Sequence, residues 1–197
     1  MTLIMFQYCP SCGETNIRFK GNKFSCPDCG FIYFHNTAAA TGCVIETGEK
    51  VVLLVRGREP GLGKLDLPGG FVDPGEGVLE GLLRELREEL GWEPPALYGP
   101  EEPVCRFKDK ESAKPLAEVF TLFASFPNTY LYKGIAYNTC DMYFTVSAPG
   151  LAENDICPEA GEISDVRFLR PEEINLDDMA FESTRRAIEA YRKLSQQ

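Results

Sequence analysis

The segment Gly70-Phe-Val-Asp-Pro-Gly-Glu76-Gly-Val-Leu-Glu-Gly-Leu-Leu-Arg84-Glu85-Leu86-Arg-Glu88-Glu89-Leu90-Gly91-Trp92 carries two patterns at once. Leu79, Leu82, Leu83, Leu86 and Leu90 recur at three- and four-residue intervals, which predicts an amphipathic helix over about Val78 to Leu90. Gly91 stands where a glycine would end it. On the same helix Glu85, Glu88 and Glu89 lie at i, i+3 and i+4, so three carboxylates stack on one face, away from the leucine stripe. Without a cation they repel. A solvated acidic face gives the same spacing.

The surroundings of the helix weigh toward a cation. Arg84 and Glu76 supply charges that could fix the carboxylates, and Gly69-Gly70 lets backbone oxygens approach an ion closely. Hard oxygen ligands of this kind suit Mg²⁺ or Mn²⁺, which keep some waters and take substrate phosphate oxygens as further ligands. Upstream, apolar runs at Thr37 to Ile45 and Val51 to Val55 flank the turn residues Glu46 to Lys50, which predicts a β-hairpin. Arg56 and Arg58 at its end are candidates for phosphate contact or, more simply, a solvated strand end.

Nearer the N-terminus stand Cys9-Pro-Ser-Cys12 and Cys26-Pro-Asp-Cys29, whereas Cys43, Cys105, Cys140 and Cys157 are scattered singly. A two-residue spacer lets a tight turn aim both sulfurs at one ion, and two such pairs supply the four thiolates of a closed, structural tetrahedral zinc site. Residues 1–36 are therefore expected to form a small zinc ribbon, with residues 37–197 forming the main domain. His35, the single histidine, reads as structural.

Downstream, Glu101 to Lys114 mixes proline, charges and small residues and reads as a solvated insertion. Strands are expected at Val119 to Phe126, Ile135 to Val146 and Asp165 to Leu169, the first two joined through Pro127 to Gly134. Tyr130, Tyr132 and Tyr137 are candidates for stacking on a base, or for ordinary sheet surface. A C-terminal helix would set Phe181, Ile188, Tyr191 and Leu194 near one face. This order of elements implies an α/β fold, an α/β/α sandwich around a mixed sheet.

A formal charge of −10 over 197 residues argues against an extended basic surface for a phosphate backbone. The ribbon itself sets Arg18, Lys20 and Lys23 against Glu14 and Asp28, a net charge of about +1, so nucleic acid is not expected as a partner. No stretch is long and apolar enough for a membrane helix, no signal segment is recognisable, and a cytoplasmic location is expected.

Gly70-x5-Glu76-x7-Arg84-Glu85-Leu86-x-Glu88-Glu89-x-Gly91-Trp92 resembles the signature of the Nudix hydrolases, with Trp92 where a smaller aliphatic is usual. The ribbon ahead of it is similar to the arrangement in bacterial NADH pyrophosphatases, although the Ser-Gln-Pro-Trp array of those enzymes is missing. The resemblance implies attack of water on a nucleoside diphosphate linked to a group X, such as NADH or ADP-ribose, giving NMP and P-X. It further implies that Glu85, Glu88 and Glu89, helped by the Gly70 carbonyl, hold Mg²⁺ or Mn²⁺, with Glu76 and Arg84 bracing loop and helix. The proton acceptor would be Glu85 or an acid on a later loop, Glu162 ahead of Glu159. A homodimer is frequent among similar proteins. Two other readings stand beside this one: a nucleotide-binding regulator that does not cleave, and a nucleic-acid reader built on the ribbon.

Overall fold

The structure is a computed structural model that describes residues 6–97, 115–132 and 135–195, the side chain of Tyr132 excepted. The expected insertion at Glu101 to Lys114, with Cys105, lies outside the described residues, as do Lys133 and Gly134. The chain divides into two compact units. One comprises Met1–Ala38 with Thr129–Thr139, the other Ala39–Asn128 with Cys140–Gln197.

The first unit holds a three-stranded antiparallel sheet of β1 (Arg18–Lys20), β2 (Lys23–Ser25) and β3 (Ile32–Phe34). Its core is small: Cys9, Phe24 and Cys26 are buried, with Phe6, Ile17, Phe19 and Phe31 packed around them. His35 donates from Nε2 to the Ala136 carbonyl at 3.3 Å, and its ring lies 6.2 Å from that of Tyr137. Thr129–Thr139 thus belongs with the N-terminal residues in one compact unit.

The second unit is built on a six-stranded mixed sheet in the order β6-β5-β4-β8-β7, with β9 paired to β5. The strands are β4 (Ala38–Thr47), β5 (Lys50–Arg56), β6 (Leu65–Asp66), β7 (Thr121–Tyr132), β8 (Ile135–Ser147) and β9 (Ile163–Leu169). The helices are α1 (Val78–Leu90), α2 (Leu116–Val119) and α3 (Glu182–Leu194). Alternation along the central strands assigns their residues to two faces. Cys43, Ile45, Val52, Leu54, Phe144 and Val146 pack with Leu82, Leu86 and Leu90 of α1. Val44, Val51, Leu53 and Tyr143 pack with Ala187, Ile188 and Tyr191 of α3. The result is the expected α/β/α sandwich.

Burial sets the position of α1. Leu82, Leu86 and Leu90 are each 0% exposed, worth about 2 kcal/mol apiece, whereas an exposed charge pair on a helix contributes only about 0.3–0.5 kcal/mol. The leucines place the helix and its charges follow. Gly91, at φ 59°, turns the chain out of the helix in the left-handed region, and Trp92 is 2% exposed in the α1 core.

Three expectations require correction. Val119 belongs to a short helix and not to a strand, and β7 runs on through Pro127 to Tyr132, so the expected connector is mostly strand. Proline is tolerated there because β7 is the last strand in the sheet order. On α3 the buried face is Ser183, Thr184, Ala187, Ile188 and Tyr191; Phe181 precedes the helix, and Leu194 is 46% exposed in its final turn. Among the described residues no helix is long and apolar enough to cross a membrane.

Candidate active site and metal centres

The site in the second unit starts from a backbone seam. After β6 the chain runs antiparallel along β4: Cys43 N donates to Pro68 O at 2.9 Å, Thr41 N to Gly70 O at 2.9 Å, and Val72 N to Ala39 O at 3.1 Å. This holds Gly69 and Gly70 against α1. Gly69 N donates to Glu89 Oε2 at 2.8 Å, and a Cβ on Gly70 would stand 2.5 Å from Glu85 Oε1 and 2.7 Å from its Cδ. Only glycine leaves room for that carboxylate. Gly70→Ala should therefore displace Glu85 while costing little elsewhere. The expected result is a loss of about tenfold to a hundredfold in metal-dependent turnover at a nearly unchanged melting temperature, read by a rate assay beside a thermal melt.

Arg84 organises the acidic side chains. Its Nη2 donates to Phe71 O at 2.9 Å and to Glu76 Oε1 at 2.8 Å, its Nε to Glu76 Oε2 at 3.2 Å, and its Nη1 to Glu85 Oε1 at 2.9 Å and Glu88 Oε2 at 3.0 Å. Glu76 also accepts from Asp73 N at 2.7 Å. One guanidinium thus ties the loop to the helix and spaces two of the three carboxylates. Arg84 and Asp73 N hold the Glu76 carboxyl below the usual range.

The three helix carboxylates are not equivalent, and the expectation that all point away from the core is corrected. Glu88 is the exposed one; Glu89 is 8% exposed, because the Pro68 to Gly70 loop folds over it. Burial drives the Glu89 carboxyl well above its ordinary pKa, opposed by the Gly69 N–H and reinforced by the charges of Glu85, Asp66 and Glu162. Glu85 is raised for the same reason, by burial against the pull of Arg84, with Glu88 and Glu162 adding to the rise. A carboxylate set that is costly to ionise alone is what a divalent cation would relieve.

Glu162, chosen in sequence as the later-loop acid, comes within electrostatic reach of Glu85 and Glu89 and is ion-paired to Arg58. Glu159 is exposed, and its N–H donates to Glu89 O at 3.1 Å, so its backbone is the part tied to the helix. Arg56 is not a solvated strand end. It bonds Asp66 at 3.0 Å and Pro60 O at 2.6 Å, with its guanidinium over the Phe181 ring at 5.0 Å. Asp66 escaped the sequence reading. Burial pushes its carboxyl up to about 6 despite Arg56, and the one available signal was an acid between Leu65 and Leu67. Tyr137 lies by His35 in the first unit, and the side chain of Tyr132 is outside the described residues.

The first unit contains a separate metal-binding geometry. The Sγ atoms of Cys9, Cys12, Cys26 and Cys29 all lie within 4.8 Å of one another, with Cys9–Cys29 at 3.6 Å and Cys12–Cys26 at 3.7 Å. A disulfide would need about 2.05 Å. Four bonds of about 2.3 Å in a tetrahedron imply sulfur–sulfur edges of about 3.8 Å, so the set fits zinc. The two knuckles repeat each other: Gly13 N donates to Cys9 O at 2.8 Å, and Gly30 N to Cys26 O at 2.9 Å.

Comparison with known proteins covers most of the chain. The family model of the NUDIX domain matches residues 36–191. An ADP-ribose pyrophosphatase of Methanocaldococcus jannaschii is 43% identical over 60 residues, 30% of this chain and 35% of that protein. An NAD-capped RNA hydrolase NudC of Stutzerimonas stutzeri is 30% identical over 86 residues, 43% of this chain and 31% of that one. The matches span about a third of the length of these curated relatives. Among solved structures, a NUDIX hydrolase from Nitrosomonas europaea superposes with a TM-score of 0.61 at 22% identity, covering 95% of this chain and 91% of the other. The NUDIX domain of Shewanella oneidensis NrtR, solved with ADP ribose, gives 0.58 at 21%, covering 82% and 90%. At these identities the structural likeness speaks for the fold.

Proposed function

Because the chain belongs to the NUDIX domain family, we propose that it is a hydrolase using Mg²⁺ or Mn²⁺ to cleave the diphosphate of a nucleoside diphosphate linked to a second group. ADP-ribose and NADH-like dinucleotides are the substrate class, and the products are a nucleoside monophosphate and the phosphorylated remainder. The observation that carries this reading is the buried Glu89 carboxylate against Gly69 N, beside Glu85 and the exposed Glu88. When bound, the metal neutralises the diphosphate and lowers the pKa of a water.

The chain's own residues do the holding and the proton work. Glu85, Glu88 and Glu89 would hold the metal, with the second lone pair of Gly70 O available beside the one that accepts from Thr41 N. Arg84 and Glu76 fix the loop on the helix. Glu162 would accept the proton of the attacking water: it lies outside the set bonded to Arg84 and still feels the charge of Glu85. Glu85 is the other candidate. Steady-state kinetics at varied Mg²⁺ separates them. Loss of a proton acceptor in Glu162→Gln should lower kcat by about 10²–10⁴-fold at saturating Mg²⁺ with the Mg²⁺ requirement unchanged, whereas loss of a ligand raises that requirement. A Glu162→Gln enzyme with normal kcat would return the role to Glu85.

The ribbon of residues 1–36 would hold one structural zinc through Cys9, Cys12, Cys26 and Cys29, and residues 37–197 would carry the hydrolysis. The working form would be a homodimer. Light scattering should return twice the chain mass, and a concentration-independent chain mass would remove this part.

A further inference from the structure

Strand register sorts the ribbon's charges in a way their sum conceals. β1 pairs with β2 through Arg18↔Ser25, Phe19↔Phe24 and Lys20↔Lys23, and β2 with β3 through Lys23↔Phe34, Phe24↔Tyr33 and Ser25↔Ile32. Directly opposed residues share a face, and successive residues alternate. Phe19, Phe24 and Tyr33 therefore line one face, and Arg18, Lys20, Lys23, Ser25, Ile32 and Phe34 the other. The first face is the core: Phe24 is 1% exposed and packs against Phe19 and Phe6, and Phe6 in turn against Tyr33.

The second face is open. Ile32 is 51% and Phe34 50% exposed, Arg18 and Lys20 are exposed, and Lys23 is half-buried. Among the described residues none of these three cations makes an ion pair. Both acids of the segment lie in the knuckles: Glu14 O accepts from Cys9 N, and Asp28 accepts from the Asn16 side chain at 3.3 Å. A chain with a net charge of −10 thus presents a small face with three cations, one aromatic ring and one aliphatic side chain.

We propose that this face of the ribbon binds single-stranded nucleic acid. Arg18 and Lys20 lie two residues apart on β1, roughly 6.6 Å, and Lys23 is opposite Lys20 on β2, about 4.8 Å away, so they can meet neighbouring phosphates of one strand. Phe34, directly across from Lys23, offers its ring to an unpaired base. A duplex keeps its bases stacked on each other and leaves that ring unused. An acidic peptide would meet the cations alone.

The test uses the full zinc-loaded chain and a short fluorescent oligouridylate in Mg²⁺-free buffer, where hydrolysis is off, with binding read by anisotropy. Saturable binding is expected, weakening with salt at a log–log slope of about −2, since three cations each contribute roughly 0.7 on a single strand. Lys20→Gln with Lys23→Gln should weaken binding at least about tenfold and flatten the slope, and Phe34→Ala should weaken it about fivefold or more at an unchanged slope. Each variant should keep its zinc and its rate on a free dinucleotide. Absence of salt-sensitive binding would overturn the proposal. So would variants that retain zinc and bind as the parent does, equal affinity for a duplex of the same length, or binding to phosphatidylserine vesicles with none to the oligonucleotide.

Discussion

Glu89→Gln should lower metal-supported kcat by about two to three orders of magnitude and leave the melting temperature unchanged or raised. Glutamine keeps an oxygen to accept from Gly69 N and nearly the same volume, so the loop stays on the helix. What it removes is a buried carboxyl whose ionisation is opposed by burial and by Glu85, Asp66 and Glu162, and loss of that cost favours the apo fold. Loss of rate with gain or constancy of stability separates a metal ligand from a structural residue. Glu88→Gln should match the loss of rate, since Glu88 is exposed and contributes to the fold chiefly through Arg84. Near-normal rates in both variants, measured beside thermal melts, would move the chemistry off this helix.

The second large effect belongs to the ribbon. Cys9→Ser should abolish stoichiometric zinc in elemental analysis and unfold the first unit, while the magnesium-dependent chemistry of the second unit largely persists. Cys9 is 2% exposed and shares the small core with Phe24 and Cys26, a cluster too small to hold strands of three residues unaided. Zinc in such a site contributes on the order of 10 kcal/mol to folding, more than the net stability of many domains. Loss of the ribbon also frees the Ala136 carbonyl from His35, so protease sensitivity at the start of β8 should rise in parallel. A variant that keeps its fold and loses catalysis would instead tie the ribbon to substrate binding.

The parts of this molecule legible in sequence are those written in local spacing. The leucine interval of α1 gave its limits from Val78 to Leu90, because apolar burial at a fixed period and a following glycine set both ends of a helix. Apolar runs on either side of a turn foretold the hairpin of β4 and β5, and paired cysteines foretold converging thiols. What stayed hidden depends on contacts distant in sequence. A helical wheel puts Glu89 beside Glu85 and Glu88, yet it is buried because a loop twenty residues upstream closes over it. Arg56 turned inward because Asp66 waits there in a neighbouring strand. The ribbon's charges summed to little, and only the register of its strands gathered them on one face.

Metal-dependent cleavage of a diphosphate should reside in the second unit. Incubating the purified chain with ADP-ribose in heavy-oxygen water, with Mg²⁺ present or withdrawn, and resolving the products by mass tests it most directly. AMP and ribose 5-phosphate are expected in equal amounts, with one heavy oxygen in one of the two phosphates, no turnover without the metal, and recovery on adding Mg²⁺ or Mn²⁺. Equal turnover with the metal withdrawn, or saturable binding of ADP-ribose with no cleavage in its presence, would contradict it.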